Sequence, residues 1–397
     1  MTEWRLASSK DLEAAAATAR ARGRFGIDTE FMSEGRYRAL LCLVQVVVDD
    51  PDGPDGTQIL LIDALKPLEV SPLAELLADP RVEVVLHAGR QDVAILRRSW
   101  STELHNIFDT QIAAGFAGAS AQSGYANLLS QILGRRLGKT ASYTRWDARP
   151  LSDEQLRYAA EDVANLLQLA DTLQKRLKKT GRLGWAREEC RRLESATDER
   201  DPETVWERLP RVGQLDPRSR AVARVLAAWR ERTAASEDRP VGSVLADQTL
   251  VELAKRQPST IEALGQIRGL HPSGVKRRGR AILDAIALGR QAEPIPREPG
   301  HDRFDPTDAP LISLAEALLR TRSSEAGLAY ELIASRSELE MIIGAMKRGE
   351  PEPEVRTLEG WRAELVGEDL RALLAGKKAL RVGDHGRLVL TSGQSRA

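Results

Sequence analysis

Four carboxylates and one tyrosine, in a fixed order along the first half of the chain, could support metal-dependent chemistry. Asp28 and Glu30 end an apolar run, and Asp92 lies shortly after another one. Tyr158 and Asp162 lie in a stretch with helical periodicity. Carboxylates are natural ligands for Mg²⁺ or Mn²⁺, and two such ions can hold the attacking and leaving oxygens of an in-line displacement at phosphorus. This set of residues is therefore suited to a two-metal phosphodiesterase.

The spacing within each group brings its members to one face. Asp28 and Glu30 are two residues apart on an expected strand, so both side chains point to the same side of the sheet. Tyr158 and Asp162 are four apart on an expected helix and share a face, where a phenol can orient an attacking water. Solvent-facing acidic groups are the alternative for both pairs, and compensation of a helix N-terminus is the alternative for Asp92.

Two polar residues near these groups are expected to have structural roles. Asp109 precedes a short helical stretch that starts at Thr110, and we interpret it as the N-cap of that helix. His87 follows an apolar run and receives no catalytic role, because a lone histidine is more often a satisfied structural residue.

Strand and helix signals alternate over the first 170 residues, which predicts a mixed α/β sheet covered by helices. Pro and Gly between residues 51 and 56 predict a turn that joins two antiparallel strands. After residue 170 the strand signals stop, and one helix with a dense set of basic residues is expected over 173–192. The strands are expected at 24–28, 40–48, 58–62 and 82–86, and the first helices at 11–22, 71–77 and 91–98.

Length and composition limit the class of protein. A chain of 397 residues predicts two to three domains, and 42% hydrophobic residues predict folded cores. Lys plus Arg equals Asp plus Glu at 58 each, so any contact with nucleic acid must come from local patches. Cys42 and Cys190 offer neither a disulfide framework nor a zinc site. With no signal peptide or membrane span in the sequence, we expect a cytoplasmic protein.

The ordered set of acidic motifs resembles the ribonuclease D family, in the tyrosine subtype of the DEDD 3′→5′ exonucleases. The residues that carry the resemblance form five segments over residues 1 to about 170. They are Asp28-Thr-Glu30, His87-x4-Asp92, Phe108-Asp-Thr-Gln111, Trp146-Asp-Ala-Arg-Pro-Leu-Ser152 and Tyr158-x3-Asp162.

The resemblance implies an RNase H-like mixed sheet and a metal-dependent catalytic site. By resemblance, two divalent ions, Mg²⁺ or Mn²⁺, would be held by four carboxylates, and Tyr158 would position the nucleophilic water. The four expected metal ligands are Asp28, Glu30, Asp92 and Asp162. RNA would be hydrolysed from its 3′ end with release of nucleoside 5′-monophosphates.

Residues 211–291 resemble an HRDC domain, a small helical module that binds nucleic acid. A cluster of four cations near the start of its last helix predicts phosphate contacts, with a solvated helix end as the alternative. The cluster consists of Lys276, Arg277, Arg278 and Arg280. Residues 308–381 resemble a second, degenerate HRDC-like block, for which packing against the catalytic domain is at least as plausible as binding. The resulting boundaries are 1–195, 211–291, 308–381 and a polar tail at 382–397.

The resulting hypothesis is a 3′→5′ exoribonuclease that trims the single-stranded 3′ ends of tRNA precursors or other stable RNA. A DNA-directed 3′→5′ exonuclease is one alternative, because the residue types do not discriminate between the sugars. A catalytically inactive nucleic-acid-binding protein is another alternative, and the presence of all five candidate catalytic residues argues against it. No membrane contact and no obligate protein partner are expected.

Overall fold

The computed structural model describes residues 3–51, 53, 56–137, 145–296 and 306–392. The chain divides into two compact units. The first contains an α/β domain, residues 1–30 and 42–196, and a C-terminal block, residues 304–397. The second, the helical unit, contains residues 31–41 and 197–303. Within the described part of the chain, no helix is both long and apolar enough to cross a membrane.

A six-stranded mixed sheet forms the centre of the α/β domain, as predicted. Its strand order is β1-β4-β3-β2-β5-β6, so β2 lies inside the sheet between β3 and β5. Strands β2, β5 and β6 run parallel, whereas β3 and β4 are antiparallel, as their short connection predicts. The turn predicted at 51–56 lies partly outside the described residues. The strands are β1 (Arg5–Leu6), β2 (Arg24–Met32), β3 (Leu40–Asp49), β4 (Thr57–Asp63), β5 (Glu83–Leu86) and β6 (Ile107–Asp109).

Eight helices and one π-helical turn accompany this sheet among the described residues. The single helix predicted over 173–192 is wrong, because α7 ends at Lys179 and α8 begins at Leu183. Gly181 lies between them with φ +71°, a conformation that glycine adopts without steric cost and that no helix continues through. The helices are α1 (Ser9–Arg22), α2 (Ser71–Leu77), α3 (Arg90–Trp100), α4 (Thr110–Phe116), α5 (Tyr125–Leu128), α6 (Asp153–Ala164), α7 (Leu166–Lys179) and α8 (Leu183–Glu194), with the π turn at Leu129–Leu133.

The helical unit is built around its own apolar core, to which Leu226, Leu253 and Ile286 contribute. Its first long helix starts where the sequence favours a start, with Asp216 as N-cap and Pro217 at the first position. The loop that belongs to this unit is anchored by Tyr37, whose hydroxyl donates to Glu231 Oε1 over 2.9 Å. The helices are α9 (Pro217–Ser236), α10 (Val241–Val244), α11 (Asp247–Arg256), α12 (Ile261–Gly265) and α13 (Pro272–Gln291).

The C-terminal block is helical but ends in a β-hairpin, which the sequence analysis did not predict. Strands β7 (Lys378–Val382) and β8 (Leu388–Ser392) pair antiparallel, so the expectation of a polar tail from residue 382 is wrong over the described residues. Residues 393–397 lie outside them. The helices are α14 (Ala309–Ala326), α15 (Tyr330–Ile333), α16 (Arg336–Arg348), α17 (Gly360–Arg362) and α18 (Glu368–Leu374), with a π turn at Ala363–Gly367.

The C-terminal block packs against α8 of the α/β domain through aromatic and charged side chains. The Trp361 ring stacks on Trp185 at a centroid distance of 5.4 Å and meets Phe116 edge-on at 4.9 Å. Next to it, the buried Arg362 forms a 2.7 Å ion pair with Glu189 and thereby lowers the pKa of that carboxyl, although burial alone would raise it. The block therefore has a packing role within this unit.

Arg362→Ala should destabilise the first unit, because it leaves the largely buried Glu189 with only the longer, 3.8 Å contact to Arg192. Removing one partner of a buried pair costs about 3 kcal/mol or more, which corresponds to a fall of about 6–12 °C in the melting midpoint of a unit of this size. Differential scanning calorimetry measures the shift. Arg348→Ala is the matched control, because Arg348 and Glu350 pair at 2.7 Å on the surface, where such pairs contribute about 0–1 kcal/mol. Equal losses from both variants would contradict this account of the contact.

Candidate active site

The centre of the candidate site is strand β2, which carries two carboxylates on one face. Asp28 and Glu30 alternate with the buried Ile27 and Thr29, so the pleat of the strand sends both acidic side chains to the same side. Oxygen atoms of Asp28, Glu30 and Asp162 lie within 4.8 Å of one another. The structure thus brings together residues that are more than 130 positions apart in the sequence.

The fourth carboxylate, Asp92, reaches the site from the first turn of α3. It is buried, and its Oδ1 accepts a hydrogen bond from the hydroxyl of Thr29, the residue between the two acidic residues of β2. Asp92 is not among the carboxylates whose oxygens lie within 4.8 Å of one another, but its charge adds to the effect of burial in raising the pKa values of Asp28 and Glu30. Thr29 was not singled out from the sequence, although its position between Asp28 and Glu30 could have drawn attention to it.

Asp109 supports the turn that precedes α3. Its carboxylate accepts from Ala88 N at 3.2 Å and Gly89 N at 2.8 Å, and also from Gln111 N at 2.8 Å at the start of α4. The prediction that Asp109 caps the following helix is confirmed. Because it also holds the turn that leads into α3, Asp109 helps to position Asp92.

Helix α6 supplies both the tyrosine and the last carboxylate. The helix starts with a capping box formed by Ser152 and Gln155, which explains why it begins at this point in the sequence. Tyr158 donates a hydrogen bond to Asp162 one turn later on the same face. The Trp146 ring lies 6.1 Å from the Tyr158 ring, so the segment before the helix also borders the site.

Arg149 ties that preceding segment to the sheet. Its guanidinium makes two hydrogen bonds to the Asp63 carboxylate, at 2.6 and 2.9 Å, and one to the Cys42 carbonyl at 2.9 Å. It also donates to the Trp146 carbonyl at 2.7 Å. The planar guanidinium, with several donors in one plane, suits this arrangement, and its contacts hold the segment between Trp146 and α6 against the sheet.

Burial raises the pKa values of all four carboxyls, and repulsion from neighbouring carboxylates adds to each shift. Burial is the largest cause in each case, and it raises the pKa of Glu30 to about 8 and that of Asp162 to about 7. The pKa of Asp28 lies well above its ordinary value because of burial and the charges of Asp92, Asp162 and Glu30. The Asp92 pKa is also raised, although the Thr29 hydroxyl opposes the shift.

The donor set fits divalent cations. No lysine or arginine of the described chain forms an ion pair with any of these four carboxylates, whereas most other acidic side chains near the sheet have such a partner. Crowded carboxylates of this kind are stable in their charged form only when cations neutralise them. Hard oxygen ligands favour Mg²⁺ or Mn²⁺ over metals that prefer nitrogen or sulfur.

His87 borders the site but is oriented as a structural residue. The Thr110 hydroxyl donates its only proton to the Leu86 carbonyl at 3.1 Å, so the 2.9 Å contact between His87 Nδ1 and Thr110 Oγ1 requires a proton on Nδ1. Burial lowers the pKa of this imidazole, which keeps it neutral near pH 7.

Tyr125 is a neighbour of the site that the sequence analysis missed. The hydroxyl of this residue is buried without a hydrogen-bond partner among the described residues, and its ring lies 5.4 Å from that of His87. Burial and the charges of Asp162 and Asp28 raise the pKa of its phenol. No sequence signal could have placed it here, because α5 is a single turn with no periodicity to read.

The four cations predicted to bind nucleic acid lie on α13 of the helical unit, and they differ in exposure and in their ion-pair partners. Arg278 is not available for phosphate, because its largely buried guanidinium pairs with Glu237 at 2.6 Å. Arg277 pairs with the same carboxylate at 2.8 Å and Arg280 pairs with Asp284 at 3.2 Å, although both arginines are exposed. Lys276 is exposed and forms no ion pair with any described residue.

The metal content of the site should depend on pH in a defined direction. The Glu30 and Asp162 carboxyls have a higher pKa in the folded protein than in the unfolded chain, so their protonation stabilises the metal-free fold. This stabilisation is complete below about pH 4 and is lost as the pH rises through about 7–8. Added Mg²⁺ should therefore raise the melting midpoint more at pH 8.5 than at pH 6. Thermal unfolding with EDTA or with Mg²⁺ at both pH values measures the difference. A metal effect that does not change with pH would contradict the raised carboxyl pKa values.

Two family profiles match the chain. A profile described as a 3′-5′ exonuclease matches residues 6–178, which include every candidate catalytic residue. A profile described as the HRDC domain matches residues 219–286, inside the helical unit.

Full-length relatives and a solved structure extend these matches over nearly the whole chain. The chain is 38% identical over 399 residues to a ribonuclease D of Granulibacter bethesdensis, with 98% of this chain and 96% of the relative covered. It is 36% identical over 384 residues to a ribonuclease D of Gluconacetobacter diazotrophicus, covering 95% and 94%. The crystal structure of Escherichia coli RNase D matches with a TM-score of 0.83 at 29% identity, covering 94% of this chain and 99% of that one.

Proposed function

Since the chain belongs to the ribonuclease D family of 3′→5′ exoribonucleases, we propose that its acidic cluster holds two divalent ions and hydrolyses RNA from the 3′ end. Enzymes of this family depend on divalent metal ions. Ions bound there would lower the pKa of the attacking water and offset charge on the leaving oxygen. The ligands we assign to these ions are Asp28, Glu30, Asp92 and Asp162.

The observation that carries this proposal is the convergence of β2, α3 and α6 on one acidic cluster. Oxygens of Asp28, Glu30 and Asp162 lie within 4.8 Å of one another and can reach a common ion. Asp92, which accepts from the Thr29 hydroxyl between the two acidic residues of β2, is assigned as the fourth ligand. Buried carboxyls without a cationic partner lower the stability of the fold. Their presence in one cluster therefore indicates that a cation from outside the chain binds there.

Tyr158 is assigned the positioning of the attacking water. Its hydroxyl donates to Asp162, and burial together with nearby carboxylates raises the pKa of the phenol, so it stays protonated at neutral pH. A protonated phenol can hold an oxygen ligand in place but cannot act as the base. Cations held by the four carboxylates would therefore supply the activation of the water.

We further propose that the substrate is the single-stranded 3′ end of a structured RNA such as a tRNA precursor, with nucleoside 5′-monophosphates as products. The related E. coli enzyme is described as an exoribonuclease involved in structured RNA processing. DNA stays an alternative substrate, because no described contact identifies a group that would read the 2′-hydroxyl. The inactive binding protein is disfavoured, since all candidate catalytic side chains are present and converge.

Digestion of a 5′-labelled single-stranded RNA and its DNA twin tests this function. With Mg²⁺ or Mn²⁺ the RNA should shorten by one nucleotide at a time from its 3′ end, and EDTA should stop the reaction. Faster shortening of the DNA would favour the DNA-directed alternative. No shortening by folded protein with either metal would favour the inactive binding protein.

A further inference from the structure

A cluster of exposed cations on α7, in the α/β domain, has no role in the proposed chemistry. It consists of Lys175, Arg176, Lys178 and Lys179, and we call it the α7 patch. Leu173 and Leu177 on the same helix are fully buried, and a turn of 3.6 residues places Lys175, Lys178 and Lys179 on the opposite half of the helix, with Arg176 at the edge between the two halves. In the sequence these residues belong to a dense basic run for which no function is predicted.

The carboxylates near the α7 patch are already engaged by other groups. Asp171, one turn before Lys175, is bound by Arg24 of β2. Glu83 accepts from Gln174 at 2.8 Å and pairs with Arg187 at 2.7 Å. Within the described ranges, none of the four patch cations forms an ion pair. The patch therefore presents four positive charges to solvent in a chain whose formal net charge is zero.

The cations of α13, for which the sequence predicted phosphate contacts, differ from the α7 patch in their ion pairing. There, four cations face two carboxylates, and three of the four are paired. Phosphate contacts gain from releasing counterions that condense along a polyanion, and a cation already neutralised by a carboxylate contributes less to this effect. On this ground the α7 patch is the stronger candidate for contact with a polyanion.

The direction of α7 sets the distance between the patch and the acidic cluster. Leu166 at its start lies against Gly26 of β2, and Asp171 lies beside Arg24, so the helix runs back along β2 away from Asp28. At a rise of 1.5 Å per residue, the patch extends from about 14 to about 20 Å beyond the start of the helix. With stacked nucleotides spaced by about 3.4 Å, this length corresponds to roughly five nucleotides.

We propose that the α7 patch binds the phosphate backbone of the RNA substrate at least about five nucleotides upstream of the 3′ end. This inference rests on the proposed exoribonuclease function and adds a second contact region on the catalytic domain itself. Short oligonucleotides would bind only at the acidic cluster, whereas longer or structured RNA would gain affinity from the patch. The contact is electrostatic and independent of sequence, so it should be sensitive to salt.

Two full-length variants with the same change in charge test the proposal. The patch variant carries Lys175→Gln, Arg176→Gln, Lys178→Gln and Lys179→Gln. The control carries Arg5→Gln, Arg20→Gln, Arg81→Gln and Arg256→Gln, four arginines that are exposed but already paired with carboxylates. Binding is followed by fluorescence anisotropy in EDTA, where hydrolysis is absent, with an RNA hairpin that has a four-nucleotide 3′ tail. The isolated tetranucleotide is the second probe, and its cleavage with Mg²⁺ is measured separately.

The patch variant should bind the hairpin at least about tenfold more weakly than wild type at low salt. The slope of log affinity against log salt concentration, which is negative, should become smaller in magnitude by about 3. The control variant should change both values much less. Cleavage of the tetranucleotide should be unchanged in the patch variant. Wild-type hairpin affinity and slope in the patch variant, or equal losses in both variants, would overturn the proposal. A wild-type protein that does not cleave the tetranucleotide with Mg²⁺ would instead count against the exoribonuclease function, so the two failures are distinguishable.

Discussion

Asp28→Asn is expected to abolish RNA cleavage while making the metal-free protein more stable. An amide is a poor ligand for two adjacent cations, and loss of their stabilisation of the transition state should lower kcat by at least about 10³-fold, or about 4 kcal/mol. The same change removes a buried carboxyl whose pKa is raised by burial and by Asp92, Asp162 and Glu30. Without that charge the repulsion in the cluster falls, so the melting midpoint in EDTA at pH 8 should rise.

Loss of activity together with a gain in metal-free stability distinguishes a metal ligand from a structural residue. A structural aspartate would lose stability and activity together, whereas a metal ligand loses activity and gains metal-free stability. Asp79→Asn is the control, because Asp79 pairs with Arg81 at the surface, far along the chain from any candidate ligand. It should leave kcat unchanged. Near-wild-type turnover of Asp28→Asn would show that the assignment of metal ligands is wrong.

Tyr158→Phe is expected to lower kcat by about 10²–10³-fold without a comparable change in KM for RNA. The substitution keeps the ring that lies beside Trp146 and removes only the hydroxyl that donates to Asp162. All four carboxylates remain, so the affinity for Mn²⁺, measured by isothermal titration calorimetry, should stay within a few-fold of wild type.

Tyr330→Phe provides the matched control for this prediction. Tyr330 lies in the C-terminal block, and its hydroxyl is buried without a partner among the described residues, so the same chemical change occurs away from the cluster. It should leave kcat unchanged. An unchanged kcat in Tyr158→Phe would remove the role assigned to that phenol, and a large loss of Mn²⁺ affinity would reassign it to support of the metal ligands.

The fold class and the family could be predicted because the signals are local. Alternation along β2 places Asp28 and Glu30 on one face, and helical spacing places Tyr158 above Asp162. The family and the mixed sheet are confirmed. The carboxylates converge because of the order of the strands in the sheet. A single segment of sequence does not encode this order, and only the resemblance to the family implied it.

The features that were missed depend on partners that are distant in sequence. Arg278 reads as one member of a basic run, but Glu237, 41 residues earlier, binds its guanidinium. The hairpin at Lys378–Ser392 has strands of five residues with little burial, so its apolar pattern is weak. The end of α7 at Lys179 was overlooked because the basic residues continue across Gly181, and charge is a poor guide to helix boundaries.

The packing of the C-terminal block also depends on residues that are distant in sequence. Trp361 and Arg362 stood out in the sequence only as part of a family pattern, with binding and packing both open. Their contacts with Trp185 and Glu189 decide for packing within the first unit. The residues that meet there are more than 170 positions apart, so neither periodicity nor composition could have paired them.

The most direct test of the central claim is a crystal structure of the protein soaked in Mn²⁺, with data collected for anomalous scattering. We expect two anomalous peaks about 3.5–4 Å apart, between the carboxylates of β2 and the Asp92 and Asp162 side chains. Peaks elsewhere, or no peak at the acidic cluster under conditions that support RNA cleavage, would contradict the assignment of this cluster as the two-metal catalytic site.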